Sequence, residues 1–399
     1  MDTKRMIELS DKHLMAFTKR QPVALVRGEG SRVWDSDGKE YLDFTGGISV
    51  TALGHSHPKV VGTLREQAAT LLHVSNIFHI PQQAQLAQLL CEHSFADRVF
   101  FSNSGAEANE TAIKLARKWA KEHGASDRGD IISMRGGFHG RTLATVTATA
   151  QEKYHHGYEP LPGGFKYVAY NDLKVLQRAI DSRTAAVLVE PIQGEGGVIV
   201  PDDGYLPGVR KLCDEAGILL ILDEIQTGMG RTGTLWAYEH SRIKPDIMTL
   251  AKALANGVPI GATLATDSVA SAFTPGSHGS TFGGNPLATA VGVTVFATLL
   301  EDKLAERAAR MGKLLREGLE TLRAKYPKAI KEARGRGLLV GMDMVPPVGD
   351  LVNACRDRGL LALTAGDNAL RLAPALIVTE KELGEGCAII DKALESAKQ

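Results

Sequence analysis

Two ionisable residues stand where apolar runs stop: Asp223 closes ILLILD (218–223) and Lys252 closes DIMTLAK (246–252). A charge at the carboxyl end of a buried strand is costly without a partner, and that end is where open α/β sheets place their ligands. Apolar walls disfavour an ammonium, so they lower a lysine's pKa and leave an amine able to attack an aldehyde. Taken singly, Asp223 reads equally as a loop cap and Lys252 as a solvated strand-end lysine. A third segment, Ser104-Gly105-Ala106-Glu107, follows the apolar run RVFF and opens the Ala-rich stretch ANETAIKLARKWAKEHG. Ser104 and Glu107 have capping-box spacing, and Gly105 lets backbone amides approach an anion at the positive end of a helix. A phosphate suits that position, although capping alone accounts for the same residues.

Combined, a phosphate cradle, a strand-end Asp and a strand-end Lys answer the needs of pyridoxal phosphate. The phosphate anchors it, the lysine binds its aldehyde, and the carboxylate keeps its ring nitrogen protonated. The rival motif is Gly228-Met229-Gly230-Arg231-Thr232-Gly233, which spells GxGxxG. A nicotinamide-binding fingerprint needs its first glycine directly after the strand and a helix at its last. Here Asp223–Thr227 intervene, and TLWAYEH follows without a helical stripe. Neither a Walker A motif nor a GxSxG elbow is present. His55 and His57 lack a third nearby ligand and read as a strand-to-helix turn ending at Pro58, so no metal site is expected.

These residues need a scaffold, and the apolar runs describe one. RVFF, IISM, AAVLVEP, GILLILDE, DIMTLAK and PIGATLA alternate with helical patterns, as in a parallel sheet buried on both faces. The fold class expected is α/β, with a large α/β domain over 60–294. The stretch SRVWDSDGKEYLDF predicts a hairpin turning at Asp37-Gly38. The N-terminal segment 1–59 is expected to join a small α+β domain, 295–399, that opens with a long amphipathic helix.

With 46 Lys+Arg against 46 Asp+Glu in 399 residues, the chain is neutral. That disfavours nucleic acid and anionic membrane as partners. No run approaches the ~20 apolar residues of a membrane span, and the N-terminus lacks the apolar core of a signal peptide. Cys91, Cys213, Cys355 and Cys387 are isolated, and a cytoplasmic location is expected. The 42 glycines are in excess and cluster in short polar loops.

At this point the chain resembles a known family, the class III (fold type I) pyridoxal-phosphate aminotransferases. GKEYLDFTGGISVTALGHSHP, FFSNSGAEANE, GGFHGRT, VEPIQGEGG, LDEIQTGMGRTG, TLAKAL, HGSTFGGNPLA and LRLAP occur in the family's order over nearly the whole length. The resemblance implies a large mainly parallel α/β/α domain and a smaller α+β domain. It makes Lys252 the cofactor-binding lysine and Asp223 the partner of the ring nitrogen. Gln226 would lie beside the ring hydroxyl, Phe138 on the ring, and the amides of Gly105 and Ala106 at the phosphate. Thr281 would reach the phosphate in a neighbouring subunit, with Ser280 beside it near the substrate, which implies a homodimer with shared sites. Arg141 would bind the substrate's α-carboxylate and Arg371 would hold 2-oxoglutarate, with Glu195 pairing with Arg371 in between.

Within the family, VTALGH and the length look most like the branch that takes N-acetylornithine. The succinylornithine, succinyl-diaminopimelate, ornithine and 4-aminobutyrate branches are alternatives, and a mutase on the same scaffold or a nicotinamide-binding α/β protein are those of another class. Two departures touch the acyl pocket: Phe17-Thr18-Lys19-Arg20-Gln21 stands where relatives carry Tyr-x-Arg, and Phe78-His79 where two aromatics are frequent.

Overall fold

The computed structural model describes residues 2–124 and 126–396. Each apolar run of the middle of the chain is a strand of one seven-stranded sheet. In chain order these are β1 (Arg98–Ser102), β2 (Asp130–Met134), β3 (Phe165–Val168), β4 (Thr184–Val189), β5 (Leu219–Asp223), β6 (Ile247–Leu250) and β7 (Gly261–Ala265). Their spatial order is β1-β7-β6-β5-β4-β2-β3. β2 through β6 run parallel, whereas β7 is antiparallel to both β1 and β6. β3 is the strand the apolar runs do not announce, because FKYV lies at the sheet edge and is only half-buried until Val168.

Alternation along the strands decides which side chains face which layer. Leu219 and Ile221 of β5 pack with Ala112, Ile113 and Ala116 of the helix Gly105–His123. Leu220 and Leu222 turn the other way, toward Val209 and Cys213 of the helix Tyr205–Ala216. Asp223 continues the odd-numbered face and so points beneath the helix Gly105–His123. In β6 the same period puts Thr249 opposite Asp223 in the register, three residues before Lys252. The sheet thus brings both candidate groups to its carboxyl edge on neighbouring strands.

The hairpin forms as expected, from Arg32–Asp35 and Glu40–Asp43, with a preceding strand Leu25–Glu29. Its last strand pairs in parallel with Leu360–Leu361, so the N-terminal segment is tied to the C-terminal part of the chain. A separate antiparallel sheet holds Ile330–Arg336, Leu339–Met344, Ala369–Leu372 and Leu363–Ala365. The helix Leu304–Lys325 packs on it, and a largely buried helix, Pro286–Glu301, precedes that one and spans residues 294 and 295. All four cysteines are free, and no helix among the described residues is long and apolar enough to cross a membrane.

Candidate active site

The carboxyl edge of the sheet opens into a cavity of about 410 Å³ lined by Gly105, Ala106, Phe138, Arg141, Glu195, Asp223, Gln226 and Lys252 among others. Eight of the residues expected at the site therefore share one space. Ser280, Thr281 and Arg371 do not line it. Thr281 is exposed, and Ser280 takes a hydrogen bond from the Asn103 side chain, Nδ2 to Oγ 3.2 Å. Arg371 stands just behind the wall, its Nη1 2.5 Å from Oε1 of Glu195. Phe17 and Phe78, the departures noted above, are both exposed.

Asp223 is nearly excluded from solvent and is hydrogen-bonded through both carboxylate oxygens. Its Oδ2 accepts from Asn109 Nδ2 at 2.8 Å and from His139 Nδ1 at 2.8 Å, and its Oδ1 accepts from the Ile225 amide at 3.0 Å. Asn109 is itself locked, donating to the His139 carbonyl and accepting from the Thr249 hydroxyl, each at 2.8 Å. A buried polar network of this kind holds its members in one orientation when every partner is present. Glu190, which follows β4, also lines the cavity and accepts from the amides of Phe138 and Gly194. Burial pushes its carboxyl up to about 7, with the Asp223 charge adding to the rise and His139 opposing it.

Lys252 leaves β6 through a left-handed residue, φ 42°, and opens a short 3-10 turn, Lys252–Ala255. Non-glycine residues in that region cost about 1–2 kcal/mol, a form of strain that clusters at functional sites. Burial lowers its amine to about 8, helped by the charge of Arg371, while Glu195, Asp223 and Glu190 pull the other way. Burial thus shifts this amine in the direction that the apolar walls predict.

The helix Gly105–His123 begins as its sequence predicts, Ser104 Oγ accepting from the Glu107 amide at 3.2 Å. The return half of the capping box differs: Glu107 accepts from the amide of Asn103, not of Ser104. Gly105 has no room for a side chain, because a Cβ there would meet Ile225 Cδ1 at 2.8 Å.

These features fit pyridoxal phosphate. A helix N-terminus with a side-chain-free first residue suits its phosphate, and a fixed carboxylate suits its ring nitrogen. Gln226 Oε1 is buried in the lining without a hydrogen-bond partner among the described residues, as suits an acceptor for the ring hydroxyl.

A lysine, a carboxylate and an amide-bearing helix end meeting at parallel strand ends define a site for amine transfer through a bound aldehyde. The chain belongs to the class-III aminotransferases, whose family model matches residues 15–394. An acetylornithine aminotransferase from Caldanaerobacter subterraneus subsp. tengcongensis is 49% identical over 394 residues, spanning 98% of this chain and 100% of that protein. The crystal structure of an acetylornithine aminotransferase from Elizabethkingia anophelis is similar at a TM-score of 0.89 and 38% identity, covering 99% of this chain and 100% of that one. That of an ornithine aminotransferase from Toxoplasma gondii, with pyridoxal phosphate at partial occupancy in its active site, gives 0.95 and 37%, covering 99% and 95%. The α/β fold expected from the apolar runs is the fold found.

Asn109, His139, Thr249 and Glu190 were not singled out from the sequence. Asn109 does leave a trace: it is a polar residue on the stripe Ala108, Ala112, Ile113, Ala116 that the helix buries.

Proposed function

We propose that this chain moves the terminal amino group of N-acetylornithine to 2-oxoglutarate, giving N-acetylglutamate 5-semialdehyde and glutamate, a step of arginine biosynthesis. The observation that carries the reading is the meeting of Lys252, Asp223 and the N-terminus of the helix Gly105–His123 around one cavity. The choice of donor is supported by the 49% identity to an acetylornithine aminotransferase over 98% of this chain and 100% of that protein.

Pyridoxal phosphate, when bound, supplies an aldehyde that condenses with amines and a ring that takes up the electron pair left on the amine's carbon. The amides of Gly105 and Ala106 would hold its phosphate, Gln226 its hydroxyl and Phe138 its ring, all four residues lining the cavity. Asp223 would accept a hydrogen bond from the ring nitrogen and keep that nitrogen protonated. Lys252 would hold the aldehyde when no donor amine is bound. The Lys252 amine, at the cavity wall, would serve as base and then acid for the proton on the carbon that bears the donor nitrogen. Arg141 binds the donor's α-carboxylate through its planar fork. Glu195 pairs with Arg371 while the donor is present and releases it to the diacid.

The same reading makes the enzyme a homodimer in which Ser280 and Thr281 complete the partner's site. Support comes from the apolar residues left exposed beside them: Leu71, Leu72, Ile77, Phe78 and Phe282. Asn76 ties the two loops together, donating to the carbonyls of Ser280 and Gly283. The pairing of the hairpin with Leu360–Leu361 supports grouping residues 1–59 with 295–399 as the small domain, the large domain being 60–294. A cytoplasmic setting agrees with four free thiols.

The test is a comparison of kcat/KM for N-acetylornithine, succinylornithine, ornithine and 4-aminobutyrate with 2-oxoglutarate. N-acetylornithine is expected to lead, and a clear lead by any other donor overturns the substrate assignment. Lys252→Ala should end multiple-turnover transfer and leave no borohydride-reducible adduct with pyridoxal phosphate.

A further inference from the structure

Arg141 lines the cavity and is exposed, yet it forms no ion pair among the described residues. What holds it is aromatic. Its guanidinium carbon lies 4.1 Å from the centre of the Tyr154 ring and 5.5 Å from that of Phe138. The two rings meet edge-on, at 6.0 Å and 81°.

We propose that Tyr154 is a specificity-determining positioning residue: its ring holds the Arg141 guanidinium at the cavity with its charge unspent, ready for the donor's α-carboxylate. The inference rests on the reading of Arg141 given above. A long, flexible arginine must be ordered before it can bind two carboxylate oxygens at once. A carboxylate partner would order it but would occupy the same N–H groups that the substrate needs. A ring attracts the cation through its negative face and leaves the charge uncancelled.

The surrounding chain is built to keep this contact. The backbone just after Arg141 is pinned by Glu110 Oε1, which accepts from the Thr142 hydroxyl at 2.5 Å and from the amides of Ala144 and Thr145 at 3.2 and 3.3 Å. Tyr154 ends the turn Glu152–Tyr154, and the next residue fastens it: His155 Nε2 lies 2.9 Å from the Val146 carbonyl and 2.7 Å from that of Thr149. Lys153 Nζ sits 5.0 Å from the same ring, a second cation favouring an anionic ligand here.

The experiment uses the holoenzyme and two amines that differ by the carboxylate alone, N-acetylornithine and N-acetylputrescine. KM is measured for each, or Ki for an amine that binds without turnover. Tyr154→Leu, which keeps apolar bulk but has no π face, should raise the constant for N-acetylornithine roughly 3- to 30-fold. It should leave kcat within about twofold and the constant for N-acetylputrescine unchanged. Tyr154→Phe should restore the wild-type value, because the ring and not the hydroxyl makes the contact. In an Arg141→Ala background, Tyr154→Leu should add nothing.

Equal effects on both amines, a Tyr154→Phe variant as poor as Tyr154→Leu, or additive losses in the double variant each overturn the proposal. If Arg141→Ala leaves discrimination between the two amines intact, the assignment of Arg141 itself fails and this inference falls with it. If Arg141→Ala abolishes discrimination and Tyr154→Leu leaves it at the wild-type value, the role of Tyr154 alone is refuted.

Discussion

His139 and Asp223 lie 84 positions apart in the chain, yet Nδ1 of the first sits 2.8 Å from Oδ2 of the second, both nearly excluded from solvent. Asn109 donates to the same oxygen at the same distance. With two donors on Oδ2, the carboxylate cannot rotate without breaking both. Its orientation is therefore set by the protein before any ligand arrives, which is the preorganisation an electrostatic partner needs.

Asn109→Ala should show what that orientation contributes. The change removes a donor from Asp223 and strands the Thr249 hydroxyl, while the small side chain is tolerated in a helix. Hydrogen bonds to charged groups contribute about 1.5–3 kcal/mol, so kcat/KM is expected to fall roughly 10- to 100-fold, with weaker retention of pyridoxal phosphate. Steady-state kinetics and cofactor release on dilution measure both. Values within twofold of wild type would mean that Asp223 holds its place without this network.

The amine of Lys252 supplies a pH prediction with a definite sign. Its pKa in the folded chain is lowered to about 8 from 10.5, and the neutral amine is the form that attacks an aldehyde. Capture of pyridoxal phosphate by cofactor-free protein should accelerate up to about pH 8 and then level off. Stability follows the same group: between about pH 8 and 10.5 the unfolded chain binds the proton and the folded one does not, so this group makes the fold more stable as pH rises through that window. Stopped-flow absorbance over roughly pH 6 to 11 gives the rate profile, and a rate still climbing above pH 10 contradicts the lowered pKa.

How much of this was legible beforehand depends on where each residue gets its meaning. Asp223 and Lys252 are visible because a buried parallel strand reads as an unbroken apolar run, so a charge at its end stands out. The helix start at Ser104 is visible because capping is local. Asn109, His139 and Thr249 acquire their roles from a contact among three elements, and no short window of sequence contains that contact. Arg371 is one arginine in a short strand, and it and its partner Glu195 are identifiable through the resemblance alone. Thr281 takes its proposed role from a second subunit, which a single chain cannot show. The strand Phe165–Val168 escaped for a simpler reason: an edge strand is not continuously apolar.

Gly194 gives a test of the cofactor wall. A Cβ at this position would collide with Oε1 of Gln226, the end of a side chain that can swing away at modest cost. Gly194→Ala should therefore fold with nearly unchanged thermal stability but displace Gln226 from the cavity. Affinity for pyridoxal phosphate is expected to drop about tenfold, the equivalent of one hydrogen bond of ~1.4 kcal/mol. Titration followed by absorbance measures it, and an unchanged affinity would remove Gln226 from the binding set.

Gly312 tests packing away from the site. It lies on the helix Leu304–Lys325, and a Cβ there would strike the backbone carbonyl of Gly337, in the turn between Ile330–Arg336 and Leu339–Met344. Backbone cannot swing aside as a side chain can. Gly312→Ala should cost about 1–3 kcal/mol of stability, as overpacking typically does. Thermal denaturation should show a lower Tm while kcat/KM at moderate temperature stays near wild type. An unshifted Tm would mean that the helix and turn separate more easily than their contact suggests.

The pair between Glu195 and Arg371 carries the prediction about two substrates. Nη1 and Oε1 are 2.5 Å apart, the arginine side chain is 3% exposed and the glutamate 25%. A buried guanidinium that loses its partner is destabilised by about 3–5 kcal/mol, so Glu195 must stay in place until another carboxylate can replace it. On the function proposed above, an N-acetylated diamine acid has one free carboxylate, which Arg141 would take, leaving the pair closed. A diacid would bring the second carboxylate that opens it. Glu195→Gln keeps the shape and removes the charge, leaving Arg371 permanently available. The variant should bind 2-oxoglutarate and glutamate more tightly and process N-acetylornithine less well. The ratio of kcat/KM for glutamate to that for N-acetylornithine in single half-reactions is expected to rise at least about tenfold, a difference of ~1.4 kcal/mol between the two substrates. If that ratio does not move, the Glu195–Arg371 pair is a structural salt bridge and the alternation between one-carboxylate and two-carboxylate substrates must be built elsewhere in the cavity.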